Sequence, residues 1–173
     1  MNKKILISSS ILLISSLSLQ AGCLTEEQYP NQWQDSRYTL HNDGTATDTI
    51  TGLMWKVCSE GQAWDSSPAC TGSAMTITWE AALAQPSTLN SSGGFAGHSD
   101  WRLPNSKELS SLAALNCSNP AINAVIFPAT SSSVFWSSSP NANVSGVAWA
   151  VSFFNGDDFN LSRINSNNVR LVR

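Results

Sequence analysis

Residues 100–109 constrain the fold more than any other stretch of this 173-residue chain. Trp101 and Leu103 alternate with polar neighbours, which is the period of a half-buried extended segment. Pro104 disfavours the helical conformation at Leu103, so the chain stays extended to that point. We therefore expect Trp101 and Leu103 in the core and Arg102 in an ion pair with an acidic side chain.

The same stretch then carries the start signals of a helix. Asn105 is a preferred N-cap residue, and Glu108 three residues later completes the pattern of a capping box. Leu109, Leu112 and Ala113 follow at helical spacing and supply one apolar face. The sequence predicts a short amphipathic helix directly after Asn105, and loss of either cap residue should cost about 1 kcal/mol.

Residues 1–21 have the composition of a secretory signal peptide. Lys3 and Lys4 form a basic start, an apolar run covers residues 5–19, and small residues close the segment. The run is too short and too rich in serine to favour a membrane span. We predict export and a single mature domain over residues 22–173, in a periplasmic, secreted or cell-surface location.

Removal of the leader leaves seven basic and twelve acidic side chains, a net charge of −5. This balance disfavours a nucleic-acid-binding function. The chain also lacks the glycine-rich phosphate-binding motifs, the nucleophile elbow and the paired histidines of zinc proteases. The inventory favours a binding or structural protein over an enzyme, and we expect no cofactor.

Four cysteines remain in the mature chain. An even number in an exported domain, without a Cys-x-x-Cys pair, favours two disulfides over a metal site. Three pairings are possible, and the turn-rich segment between Cys58 and Cys70 favours a local bridge that leaves Cys23 with Cys117. A lipid anchor on Cys23 is the less favoured alternative, since Gln20 stands where lipoprotein signals prefer an aliphatic residue.

Strand signals dominate both ends of the mature chain, and helix signals lie between them. Residues 59–73 carry no period and are interpreted as a loop. We interpret Trp64, in the middle of this loop, as a lid over the loop's own small core rather than as an exposed stacking platform. Thr78 is the expected cap of a first helix that Pro86 ends. The predicted elements are strands at residues 38–40, 45–49, 53–55, 133–140, 148–154 and 169–173, a helix at residues 79–85 and a hairpin-type turn at residues 155–158.

His98 is the basis of an alternative, enzymatic hypothesis. A small exported hydrolase could use this histidine with Asp100 or with a serine. The residue lies in a polar Gly-His-Ser-Asp sequence, however, and an exposed loop histidine is the simpler interpretation.

Calcium binding is left open and unassigned. Four aspartates lie in turns beside other oxygen-bearing side chains, but none shows the regular ligand spacing of a dedicated calcium loop. These residues are Asp43, Asp48, Asp157 and Asp158.

Seven of the fifteen asparagines fall within residues 141–168, where they alternate with aromatic, acidic and serine residues. Rigid rings beside small amides and hydroxyls are typical of recognition surfaces. Taken alone, the residues favour solvated strand faces and turns as the simpler interpretation.

Five sequence blocks in one order resemble the C-terminal domain family of bacterial collagen-like adhesins, which was long catalogued as a domain of unknown function. The resemblance spans about residues 36–173. The blocks are Thr-Gly-Leu-Met-Trp at 51–55, Thr-Trp-Glu-Ala-Ala at 78–82, Asp-Trp-Arg-Leu-Pro-Asn-Ser-Lys-Glu-Leu at 100–109, Phe-Trp-Ser-Ser-Ser at 135–139 and Val-Arg-Leu-Val-Arg at 169–173.

The resemblance implies an α+β domain related to the C-type-lectin-like and formylglycine-generating-enzyme folds, with two short helices packed on a twisted, mostly antiparallel sheet. It also implies ligand binding through the C-terminal half, and some such domains are diversified there by retroelements. Two departures limit the transfer: the chain has no collagen-like Gly-X-Y stalk, and its mature part is acidic, whereas sulfated polysaccharides require a basic surface.

The resulting hypothesis is an exported bacterial adhesion module that recognises a protein or glycan ligand through its C-terminal strands and loops. A purely structural envelope protein is a further alternative. The residues predicted to contact the ligand are Asn143, Phe154, Asn155, Asp157, Asp158, Phe159, Asn160 and Arg163.

Overall fold

A computed structural model of the chain describes residue 23, residues 34–65 and residues 69–173. The predicted signal peptide lies outside the described residues. The described part is α+β, as predicted, with few helices, antiparallel sheets and two disulfides. After a 3-10 turn at Asp35–Arg37, the elements are β1 (Tyr38–Leu40), β2 (Thr45–Asp48), β3 (Met54–Lys56), β4 (Ala63–Asp65), β5 (Ala69–Thr71), α1 (Trp79–Ser91), α2 (Ser106–Ser110), β6 (Val134–Pro140), β7 (Val147–Ser152) and β8 (Asp158–Ser162).

The first sheet has the order β1-β2-β3, and the C-terminal residues dock beside β3. Trp55 of β3 and Arg102 both pair with Val172 through single antiparallel bridges. The backbone N–H of Arg102 donates to the carbonyl of Val172 at 2.8 Å, and the reverse bond measures 3.0 Å. Residues 169–173 are therefore docked in a sheet, as expected, although they pair through single bridges and not through a continuous ladder.

A second sheet, with the order β6-β7-β8, is packed on both faces. Phe135 and Val151 lie opposite each other and share a core cluster with Leu109 of α2. Trp136, the next residue along β6, faces the other side and joins a cluster with Trp79 of α1. The helices thus lie on opposite faces of one sheet. The structure divides the strands among three sheets, where we expected a single one.

The stretch at residues 100–109 forms as predicted. Trp101 and Leu103 are buried. The Asn105 side chain accepts from the backbone N–H of Glu108 at 2.9 Å, and the Glu108 carboxylate accepts from the backbone N–H of Asn105 at 2.8 Å, which completes the capping box. Arg102 finds its acid in the same Glu108, through two bonds of 2.7 and 2.8 Å.

The first helix continues past Pro86 to Ser91, so the predicted end at Pro86 is wrong. A proline inside a helix removes a backbone hydrogen bond and usually costs about 3 kcal/mol. Here Pro86 and Ala82, one turn earlier, are both buried, so packing on the core offsets that cost. Thr78 occupies the N-cap position, but its side chain makes no capping hydrogen bond.

Part of the segment at residues 59–73 is a hairpin, where the sequence predicted only loop. β4 pairs with β5, with Trp64 opposite Cys70, and the predicted Cys58–Cys70 disulfide ties the hairpin to the end of β3. Strands of three residues are too short to show a period, and the disulfide holds them together. Trp64 is half-buried against the core, and a Cβ at Gly44 would lie 2.7 Å from its Cγ. Trp64 therefore covers the core and is not an exposed platform.

The second disulfide joins Cys23 to Cys117, which confirms the predicted pairing. A sulfur held in a disulfide cannot also carry the thioether of a lipid anchor, so this bond argues against lipidation at Cys23. Disulfides are typical of oxidising compartments outside the cytoplasm. Within the part of the chain that the structure describes, no helix is both long and apolar enough to span a bilayer.

Candidate ligand-binding face

The hairpin of β7 and β8 carries most of the predicted ligand contacts. Its ladder places Trp149 opposite Asn160 and Ala150 opposite Phe159. Opposite residues of a ladder share a face of the sheet. Asn160 and Asp158 therefore lie on one face and are exposed, whereas Phe159 lies on the other and is half-buried.

The turn between β7 and β8 presents the most exposed aromatic ring among the described residues. The side chain of Phe154 is 57% exposed. The Asn155 amide donates to a carboxylate oxygen of Asp157. Gly156 has a φ of +87°, and a Cβ there would lie 2.8 Å from a methyl carbon of Leu115, so both backbone and space require glycine. The turn is fixed, and it holds Phe154 in solvent.

The opposite end of the hairpin carries Asn143 and Arg163. The Asn141 side chain accepts from the backbone N–H of Asn143 at 2.8 Å, and this bond shapes the connection between β6 and β7. The Arg163 guanidinium lies 4.2 Å from the centroid of the Trp79 ring, and its Nε donates to the carbonyl of Val147 at 3.1 Å. Arg163 thus helps to dock the end of β8 on α1.

The predicted contact residues are spread along β8 and the connections at its two ends. A strand rises about 3.3 Å per residue, so Asp158 and Arg163 lie about 16 Å apart. Asn160 stands between them, and its side-chain oxygen accepts from the Asn141 amide at 2.8 Å. The structure gathers Phe154, Asn155, Asp157 and Asp158 at one end of this strand and Asn143 and Arg163 at the other.

Nearly every cation is already engaged by a neighbour. The seven basic side chains of the predicted mature chain all lie in the described residues, and only Lys107 makes no ion pair, ring contact or carbonyl hydrogen bond there. The ion pairs are Arg37 with Asp48, Lys56 with Glu60, Arg102 with Glu108 and Arg173 with Asp100; Arg163 and Arg170 contact carbonyls and rings. The described surface therefore offers no basic cluster for a polyanion.

Arg170 is a buried charged residue of the core that the sequence pattern did not single out. It is fully buried, and burial lowers its pKa to about 9. Its guanidinium donates to the carbonyls of Lys56 and Val57 and, at 2.7 Å, to the Thr130 hydroxyl. The sequence signal for a buried arginine was its position between the apolar residues of the segment 169–173.

Leu115 and Trp149 were also missed as members of the face. Leu115 is exposed and touches the turn at Gly156, and Trp149 is half-exposed beside Asn160. Leu115 lies outside the asparagine-rich segment. Trp149 lies inside it, but in an apolar run that is equally typical of a core strand. Only the pairing of the strands places them beside the predicted contacts.

Two of the four aspartates considered as calcium ligands form hydrogen bonds within the first sheet and its turns. Asp48 is buried against Arg37 at 2.5 Å, and Asp43 accepts from the Thr45 hydroxyl at 2.7 Å. Burial acts to raise the pKa of Asp48, but hydrogen bonds from Arg37, Thr51 and the backbone outweigh it and lower the pKa. No three metal-binding side chains converge within the described ranges.

His98 lies half-exposed in a tight loop, where its backbone pairs with Phe95. Asp100, the acid considered as its partner, is bound to Arg173 at 2.8 Å, and this hydrogen bond holds the pKa of Asp100 below its ordinary value. Within residues 34–65 and 69–173, the His98 ring makes no side-chain hydrogen bond.

A family model described as the Lcl C-terminal domain matches residues 44–173. The chain belongs to this family. The match confirms the resemblance that the five sequence blocks indicated, and it includes the second sheet and all eight predicted contact residues. No curated protein matches the chain.

Proposed function

We propose that this Lcl C-terminal domain is an exported bacterial adhesin-type module that binds a protein or glycan ligand through the β7–β8 hairpin. Membership of the family supports the adhesin-like assignment. The two disulfides support an oxidising location outside the cytoplasm. We also propose that its α+β fold is of the C-type-lectin-like type.

The observation that carries the proposal is the solvent-exposed ring of Phe154 on a backbone that is held by hydrogen bonds. Its backbone N–H donates to the Ser152 hydroxyl at 3.2 Å, and its carbonyl accepts from the N–H of Asn119 at 2.9 Å. A backbone held in this way loses little conformational entropy on binding. Asn155 and Asp157 stand beside it as hydrogen-bonding groups, so the turn combines apolar contact area with polar recognition.

The charges of the face favour neutral or cationic ligands over polyanions. Asp157 and Asp158 are exposed and form no ion pair within the described residues, whereas Arg163 lies over the Trp79 ring and donates its Nε to Val147, which leaves only its two terminal nitrogens for other contacts. A sulfated polysaccharide would meet repulsion at this end of the hairpin. Neutral glycan hydroxyls or a protein surface fit the amides, carboxylates and rings better.

A glycan and protein array tests the proposal directly. We expect the Phe154→Ala/Phe159→Ala variant to lose about tenfold or more in apparent affinity for every ligand that the native chain captures, as for truncated aromatic anchors of interfaces. The matched control is Leu40→Ala/Ile50→Ala, which removes two exposed apolar side chains from the first sheet. Undiminished binding by the Phe154/Phe159 variant, with the fold intact by circular dichroism, would reject the assignment.

We propose that the activity is binding without turnover and without a cofactor. A parallel array with chelator decides whether calcium contributes, since Asp157 and Asp158 are oxygen ligands in a turn. Hydrolysis of an arrayed ligand that His98→Ala abolishes would favour the enzymatic alternative instead. Diversification of the asparagine-rich segment predicts a template repeat and a reverse transcriptase gene nearby.

A further inference from the structure

The outer edge of β8 presents a row of backbone hydrogen-bonding groups, all but one of which have no backbone partner in the described part of the chain. Within β7–β8, the N–H of Ser152 donates to Asp157 and the N–H of Arg163 donates to Gly146, at 2.8 and 2.9 Å. Inward-bonded positions alternate along an antiparallel strand. The N–H and C=O groups of Asp158, Asn160 and Ser162 therefore point away from β7. The Ser162 carbonyl already accepts from the N–H of Asn165 at 3.0 Å, and its second lone pair can accept another donor.

β8 lacks several of the usual protections of an exposed edge, although it is short and carries the charge of Asp158. Edge strands normally carry lysine, proline or a bulge, or are covered by another segment. β8 has no lysine or proline, and its ladder with β7 runs without a register shift. Among the described residues only β7 pairs with it, whereas the other edge of this sheet, β6, is bridged by Asn168.

The sequence of this edge is complementary to itself. Around Asn160, residues 157–163 read acid, acid, apolar, amide, apolar, hydroxyl, base. If a second copy runs antiparallel with Asn160 facing Asn160, then Phe159 faces Leu161 and Asp157 faces Arg163. Two half-buried apolar residues meet on one face, and opposite charges meet at both ends.

The side chains are available for these contacts. Asp157 is exposed and forms no ion pair in the described part of the chain. Arg163 uses its Nε for the Val147 carbonyl, and its two terminal nitrogens make no hydrogen bond within the described residues. Phe159 and Leu161 each retain exposed surface that a second strand would cover.

We infer that two copies of the chain associate through antiparallel β8–β8 pairing centred on Asn160, which joins their sheets into one of six strands. The pairing sets the outward backbone groups of Asp158, Asn160 and Ser162 in register, as hydrogen-bonded pairs of an antiparallel ladder require. Five residues a side bury less area than a standard protein interface. The dimer is therefore weak and concentration-dependent.

The pairing brings together two groups of predicted contact residues that lie apart in a single chain. In one copy the Phe154 turn and Arg163 lie at opposite ends of β8. Across the two-fold axis, the turn of one copy lies beside Arg163 of the other, so two composite faces form. The inference does not depend on the proposed function, because mass and cross-linking are measured without a ligand.

Sedimentation equilibrium over a range of concentrations tests the pairing. We expect the native chain to approach twice its monomer mass, and Asn160→Pro to weaken association about tenfold or more. Proline at this position removes an N–H that points outward and leaves the β7–β8 ladder intact, so the fold is retained. A native chain that stays monomeric, forms trimers, or associates equally well with Asn160→Pro would overturn the inference.

Cross-linking and charge reversal test the register. Asn160→Cys should form a covalent dimer under mild oxidation much faster than Asn143→Cys, an exposed position outside the paired row. Asp157→Arg should weaken association, Asp157→Arg/Arg163→Glu should restore it, and Glu80→Arg, an equal charge change on exposed α1, should leave it unchanged. Equal cross-linking at both cysteines, or no recovery in the folded double variant, counts against this register.

Discussion

The first sheet and the β8 edge treat polar groups in opposite ways. In the first sheet and the C-terminal segment docked beside it, the buried side chains of Asp48 and Arg170 form hydrogen bonds with other groups of the protein. Along β8, the side chains of Asp158 and Asn160 face water, and the outward N–H and C=O groups of these two residues have no backbone partner in the described part of the chain. Polar residues alone therefore indicate neither stability nor recognition; burial decides which role they serve.

The contrast predicts where substitution costs stability and where it costs association or binding. Changes in the first sheet should lower the free energy of unfolding, because they leave buried groups without partners. Changes along β8 should leave that free energy almost unchanged. The following predictions run from the largest expected effect to the smallest.

Arg170→Met should lower the free energy of unfolding by about 3 to 5 kcal/mol, in the range seen when a buried charged network loses one partner. The carbonyls of Lys56 and Val57 and the Thr130 hydroxyl would lose their donor. Urea denaturation gives the value. An effect below about 1 kcal/mol would show that the buried guanidinium contributes little, and the contrast between the two regions would fail.

Asp48→Asn should cost about 1.5 to 3 kcal/mol at neutral pH, as for hydrogen bonds to charged groups. Because the folded pKa of Asp48 lies below its ordinary value of 3.8, its stabilising contribution is complete above that value and is lost as pH falls through the folded pKa. Denaturation from pH 7 to pH 2 should show the difference between native and variant shrinking in acid. A constant difference would contradict the role of the charge.

Asn105→Ala should cost about 1 kcal/mol, since α2 would lose the side-chain half of its capping box. The Arg102–Glu108 pair remains in this variant and serves as an internal reference. Thermal denaturation monitored by circular dichroism measures the loss. Asn116→Ala is the control, an asparagine in the following turn region outside the cap.

Asn155→Ala and Asp158→Ala should each change the free energy of unfolding by no more than about 0.5 kcal/mol, because both side chains are exposed. Array binding should nevertheless fall for these variants if the proposed face is correct. A large loss of stability would show that these residues stabilise the fold as those of the first sheet do, and the distinction between the two regions would fail.

Local chemistry was enough to predict the stretch at residues 100–109, the two disulfides and the docked C-terminus. Proline, cap residues and alternation act over a few neighbours, so one sequence displays them. The end of α1 was mispredicted because Pro86 is held by burial against the core, which no local rule contains. The hairpin within residues 59–73 was missed because three-residue strands carry no period.

The candidate face shows the same division. Its residue types were visible in the asparagine-rich segment, but their separation to two ends of β8 follows from strand pairing. Leu115 joins the face only because the chain folds back onto Gly156.

By itself, the sequence determined the family, the composition of the face and the acidic balance, since these are properties of residue identity and order. Tertiary structure alone decided that Arg170 is buried and Asn160 exposed, although both lie in strand-like, polar-apolar sequence. The reason is physical: alternation shows that two faces exist, while long-range packing chooses which face water reaches.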